Sequence, residues 1–151
     1  MDMAVTVLEK YPIKKYDARE LYSGQAVVKG APDCLYYRGD ISLLKEDVVA
    51  VIGSREISEW GKAVTKNISR ALCRRGKTVL NGLALGCDAV ALKEALDCGG
   101  KAVAVMPCGL DEVYPKTNRK LAEELLEKGG CLVSEYPPGV HPRKESFVAR
   151  D

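Results

Sequence analysis

Val48-Val49-Ala50-Val51-Ile52-Gly53-Ser54-Arg55 is the stretch on which the fold turns. A β-favouring apolar run stops at a glycine and a helical pattern begins just beyond it, so the segment reads as a buried strand followed by a strand-to-helix turn. A glycine there lets the backbone approach a ligand. Ser54 and the free N–H groups of the helix start can cradle an anion, and Arg55 can hold it bidentately. The plainer reading is a tight turn with Arg55 solvated or paired to Glu56 or Glu59.

Outward from this turn the pattern repeats. A helix is expected from about Ser58 to Arg75, with Val64, Ile68, Ala71 and Leu72 on one face and Gly76 as a left-handed C-terminal cap. Then come a strand at Thr78–Leu80, the loop Asn81 to Cys87, and a helix from Asp88, its expected N-cap, to about Cys98. A strand at Lys101–Met106 leads through a Pro- and Gly-bearing loop into a helix capped by Thr117. The last strand is Cys131–Ser134. Short apolar runs alternating with helices argue for an α/β fold with a doubly wound, mostly parallel sheet, an extended Rossmann-like three-layer sandwich with helices on both faces.

Such sheets bind ligands beyond the carboxyl ends of their strands, so the loops that matter are those holding Gly53, Ser54 and Arg55, Gly82 and Gly86, Gly109, and the segment after Ser134. Small residues at these exits predict one crevice lined by backbone N–H groups. Residues 1–47 carry scattered Gly and Pro and one strand-like run, Cys34-Leu35-Tyr36-Tyr37. They read as an amino-terminal extension whose strand joins or flanks the sheet of a domain over residues 48–151.

The bulk numbers narrow the function. With 151 residues the chain suits one compact domain, and 23 Lys plus Arg against 21 Asp plus Glu give a formal net charge of +2. That excludes a protein coating nucleic acid by charge alone, and any contact must come from a local patch. Six cysteines without CxxC spacing or a secretory signal read as reduced, mostly buried thiols of a cytoplasmic protein. No apolar stretch nears the roughly 20 residues needed to cross a bilayer, so no membrane partner is expected.

Catalysis finds few candidates. The single histidine, His141, sits in an irregular basic tail and reads as a surface group. No G-x-S-x-G elbow surrounds Ser54 or Ser134, no Walker loop follows Gly53, and the dinucleotide fingerprint lacks its second glycine. No enzyme, cofactor or metal is expected. Asp111 and Glu112 read as loop surface. Trp60 reads as able to pack under the Gly53 loop. Phe147, the one phenylalanine, is by default a core residue, but Arg143, Lys144 and Arg150 around it also fit a platform on which a base stacks beside phosphate-binding cations.

In order, Leu35-Tyr36-Tyr37-Arg38-Gly39, Val49 to Arg55, Asn81-Gly82-Leu83-Ala84-Leu85-Gly86-Cys87-Asp88, Ala102 to Asp111 with Tyr114-Pro115, Leu132 to Pro137, and Phe147 to Arg150 resemble the DNA-processing protein A family, also called Smf. The resemblance implies a Rossmann-like domain that binds single-stranded DNA at its strand ends, forms a homodimer and helps load a RecA-type recombinase during natural transformation. It also implies that Arg55 and Lys144 contact phosphate, that Phe147 stacks on a base, and that Gly53 and Ser54 shape the floor. The competing reading keeps the fold and replaces DNA with a small nucleotide that is sensed, carried or, as a nucleoside monophosphate, hydrolysed. Pro107-Cys108-Gly109-Leu110-Asp111 lacks the Pro-Gly-Gly-x-Gly-Thr loop of the hydrolases.

Overall fold

Strands and helices alternate along the chain because its apolar runs are short and are closed by a glycine, serine, asparagine or proline. In the computed structural model, which describes residues 4–24 and 28–151, they form a single sheet of six strands. These are β1 (Lys14–Asp17), β2 (Cys34–Gly39), β3 (Val48–Ala50), β4 (Thr78–Asn81), β5 (Ala102–Met106) and β6 (Cys131–Ser134), in the order β1-β2-β6-β5-β4-β3. Strands β3 to β6 run parallel, while β2 lies antiparallel on β6 and β1 antiparallel on β2. The α/β, mostly parallel Rossmann-like architecture is therefore the one the alternation predicts. The run at Cys34 does join the sheet; β1, with exposed lysines and little apolar content, is a strand that periodicity did not reveal.

The order of the strands decides how the layers form. Because β3, β4, β5 and β6 are neighbours in sequence order, their right-handed crossovers all lie on one side. That side carries α1 (Glu59–Arg74), α2 (Cys87–Asp97) and α3 (Arg119–Glu127), with Ala91, Leu92, Ala95, Leu96, Leu125 and Leu126 packed on Val79, Ala102, Ala104, Met106 and Leu132. Alternate residues face the other way. There Val103, Cys131 and Val133 meet Ala18, Leu35 and Leu43, so the second face is covered by the extension and its 3-10 turns at Ala18–Tyr22 and Ile41–Lys45, not by crossover helices. This cover stops short of the carboxyl ends, where Ile52 is 67% exposed.

Three local expectations need correction. The buried stripe of α1 runs through Thr65 and Ser69, whereas Ile68 and Ala71 are exposed and Val64 and Leu72 half-buried. The small side chains let α1 approach α2 closely, with Thr65 Oγ1 3.5 Å from Cys87 Sγ. Asp88 does not cap α2: the helix starts at Cys87 behind Gly86. The Asp88 carboxylate instead accepts from the Gly82 and Ala84 N–H groups at 3.0 and 3.3 Å, bracing the preceding loop. Thr117 caps nothing, because a 3-10 turn at Lys116–Asn118 precedes α3. Ser58 does cap α1, accepting from Gly61 N–H at 3.0 Å.

Of the six cysteines, Cys87, Cys108 and Cys131 are buried, Cys34 and Cys73 half-buried and Cys98 exposed, and none is bonded to another. Burial pushes the Cys108 and Cys131 thiols up to about 12, keeping both protonated and inert. Among the described residues no helix is long and apolar enough to cross a membrane.

Candidate nucleic-acid interface

The turn after β3 is shaped by its contact with the loop that follows β4. Ser54 O accepts from Cys87 N–H at 3.0 Å, and Gly86, at φ +80°, faces the Ser54 and Arg55 carbonyls where no side chain fits. Gly53 lies against Cys87, whose Sγ would be 2.8 Å from a Cβ on the glycine. Both glycines thus serve loop-on-loop packing. Gly53, Ser54 and Arg55 themselves stay exposed. The Ser54 hydroxyl is occupied locally, accepting from Glu56 N–H at 3.1 Å and donating to Glu56 O at 3.0 Å.

The β4 loop is held from several directions. The Asn81 side chain donates to Val51 O and Asp88 O at 3.1 and 3.0 Å and accepts from Leu83 N–H at 3.0 Å. Leu83, fully buried, adopts φ +57°, a left-handed conformation that costs about 1–2 kcal/mol for a residue with a Cβ. Asn118 donates to Leu83 O at 2.8 Å and so helps fix that conformation. A strained backbone so thoroughly supported is a common property of binding loops. Asn81, Asp88 and Asn118 are site-building residues that the sequence reading missed or misassigned. The polar residues flanking Gly82 were the available signal.

The carboxyl-terminal segment closes the site. The Ser146 hydroxyl accepts from Arg143 N–H at 2.8 Å and donates to Arg143 O at 2.6 Å, turning the chain into α4 (Lys144–Arg150). Phe147 projects from α4 toward the β3 turn. The Arg55 guanidinium lies 5.6 Å from the centre of its ring, that of Arg150 5.5 Å, and Tyr114 meets it edge-on with centroids 5.2 Å apart. These residues, with Ala84 and Leu85, line a small cleft. Lys144 precedes Phe147 by one helical turn and therefore shares its side of α4; Lys144 and Arg143 are exposed.

The candidate residues therefore divide into two groups. Arg55 and Phe147 converge, with Arg143 and Lys144 exposed at the start of the helix that carries Phe147, and Tyr114 and Leu85 as cleft walls that composition did not single out. Glu59 pairs with Lys62 at 3.0 Å, leaving Arg55 to the aromatic ring. Arg150 is turned inward: its side chain is 6% exposed and donates to Gly82 O at 3.0 Å. Gly82 and Gly109 are buried in internal contacts, Gly109 N–H donating to Val140 O at 2.8 Å, so their N–H groups face protein and not an open crevice. Trp60 is 77% exposed and does not pack beneath the turn, because it stands on the outer side of the first turn of α1. His141, an exposed surface group, contacts Glu112 Oε2 at 3.2 Å. Among the described residues no cluster of His, Cys, Asp and Glu is arranged to hold a metal ion.

The arrangement matches proteins already named. A family profile described as DNA recombination-mediator protein A matches residues 9–151. Protein Smf of Escherichia coli is 39% identical over 120 residues, which cover 80% of this chain and 32% of that protein. The DNA processing protein DprA of Streptococcus pneumoniae is 38% identical over 136 residues, covering 90% of this chain and 45% of that one. The chain thus spans less than half the length of these curated relatives. Among solved structures, DNA processing protein A from Helicobacter pylori, described for its single-stranded DNA binding mode, superposes with a TM-score of 0.79 at 32% identity, over 93% of this chain and 63% of that one. The profile runs through the β3 turn, the braced β4 loop and α4, and the chain belongs to the DNA recombination-mediator protein A family.

Proposed function

We propose that this chain binds single-stranded DNA as a non-enzymatic recombination mediator of natural transformation, acting in the cytoplasm as a homodimer that hands its DNA to a RecA-type recombinase. The observation that carries the DNA reading is the exposed Arg55 guanidinium seated on the Phe147 ring at the carboxyl end of the sheet, a base-sized aromatic face beside a cation, with Lys144 exposed one helical turn before Phe147. Arg150, tied to the Gly82 carbonyl, is the fixed neighbour of the ring. Arg55, exposed, is free to swing toward a phosphate and leave its place on Phe147 to an unpaired base. Every base has a π face, so little sequence preference follows. The binding mode described for the Helicobacter pylori relative supports the same reading.

Fluorescence anisotropy with oligo-dT at two salt concentrations, beside duplex DNA and free nucleotides, tests it. Single strand should bind most tightly and lose affinity as salt rises. Equal binding of duplex, or preference for AMP, would overturn the reading and favour the small-nucleotide alternative. Two variants dissect the contact. Arg55→Ala should weaken binding and reduce the salt slope by about 0.7 to 1. Phe147→Ala should cost about 1–3 kcal/mol of binding with little change in slope. An Arg55→Ala protein with unchanged affinity means that the phosphate lies elsewhere.

A further inference from the structure

At the end of the sheet opposite the DNA cleft, the last turn of α1 and the end of α2 bring two cysteines together. Cys73 Sγ donates to the backbone oxygen of Cys98 at 3.3 Å, which brings the two residues side by side. Gly100 leaves the room they share: a Cβ there would sit 2.9 Å from Cys73 Sγ. The pair lies in an open concavity whose other walls include Lys77, Thr78 and Lys101. Cys98 is exposed, and its Sγ lies 3.9 Å from Oε1 of Glu94, the carboxylate that pairs with Arg70.

We propose that Cys73 and Cys98 form a reversible dithiol–disulfide site that is oxidised by small disulfides of the glutathione class. The assignment of roles follows from exposure. The Cys98 thiol, exposed to solvent, gives up its proton and attacks a sulfur of the small disulfide; its S–S bond breaks, a mixed disulfide forms on Cys98, and one thiolate leaves and takes up a proton. Cys73, half-buried, then gives up its proton and attacks Cys98 Sγ, and a second small thiolate leaves and is protonated. Two protein thiols are oxidised by two electrons and one small disulfide is reduced to two thiols. The concavity is also lined by Lys101, by Glu46 and by Lys77, whose Nζ is paired to Asp47 Oδ2 at 2.6 Å. Cys87, Cys108 and Cys131 are buried and take no part, and burial holds the Cys73 thiol above its ordinary range, which fits the second, resolving role.

The test is intact-mass and thiol analysis of the whole chain after incubation with glutathione disulfide. The wild type should lose about 2 Da, with two of its six thiols no longer titrating and full recovery under dithiothreitol. Peptide mapping should place the bridge between residues 73 and 98. Cys73→Ser should instead retain a mixed disulfide on Cys98, about 305 Da heavier, and Cys98→Ser should stay unmodified at residue 73. A stable glutathione adduct on the wild type, a bridge through other cysteines, or a covalent dimer through Cys98 overturns the proposal. Both substitutions exchange a sulfur for an oxygen at positions outside the buried core, and circular dichroism of each variant shows whether it is folded.

Discussion

Replacing Arg38 by methionine lowers the stability of the fold by about 3–5 kcal/mol, a fall of roughly 10 °C in Tm. Arg38 lies on β2 on the helix-covered face of the sheet and is 8% exposed. Its Nε donates to Leu110 O at 2.9 Å, and its Nη1 donates to Leu8 O at 2.6 Å and Tyr11 O at 2.9 Å. Those partners are carbonyls of the amino-terminal segment and of the loop after β5. Methionine fills much of the volume but leaves three acceptors without this donor, and a buried polar group left unpaired costs about 1–3 kcal/mol. Burial draws the Arg38 pKa below the ordinary arginine range, with Asp111 and Glu9 opposing it. The charge persists at neutral pH all the same, as arginine's does throughout proteins. Arg38→Lys recovers only part of the loss, because one ammonium lacks the planar fork that serves carbonyls on two sides. Thermal or urea unfolding followed by circular dichroism checks both variants. A methionine variant within 1 kcal/mol of the wild type would sink the claim that this guanidinium ties the extension to the sheet.

The same residue shows what the sequence made legible. The parallel part of the sheet could be read because each strand is a short apolar run ended by a glycine, asparagine, serine or proline, and period alone separates such runs from the helices between them. Strand order could not be read this way, since no local pattern says which strands are neighbours. The placing of three helices on one face and the extension on the other is a consequence of that order. At the site, Arg55, Lys144 and Phe147 were legible as a cation–aromatic set, of which the structure seats the Arg55 guanidinium 5.6 Å from the centre of the Phe147 ring. The glycines were legible as necessary but not for the right reason: Gly53 and Gly86 admit another loop, and Gly82 admits the Arg150 guanidinium. Arg38 and Asn81 were opaque because a polar residue inside an apolar run looks like an interruption until its backbone partners, distant in sequence, are known.

Gly86→Ala carries that distinction to a measurement. Gly86 stands at φ +80°, and an added methyl would lie 2.4 Å from Ser54 O, 2.5 Å from Arg55 O and 2.6 Å from Arg55 C. None of these is the yielding end of a flexible side chain, so the Ser54-Arg55 turn itself must move. Strain of this kind costs about 3 kcal/mol. The displaced turn carries Arg55 off Phe147, so oligo-dT affinity should fall about tenfold or more although the variant has lost no charge and no aromatic ring. Gly76→Ala is the control. It too has positive φ, +70°, but nothing lies within 4 Å of the added carbon, and it sits at the far end of α1. It should cost about 1 kcal/mol of stability and leave DNA affinity unchanged. If Gly86→Ala folds and binds like the wild type, the two loops are not locked together and Arg55 is positioned by something other than Gly86. If both glycine variants weaken DNA equally, loss of global stability accounts for the effect, and anisotropy at a temperature well below both midpoints separates the two cases. Only a selective loss at Gly86 ties the shape of the β4 loop to the placement of Arg55, the arginine proposed to bind phosphate.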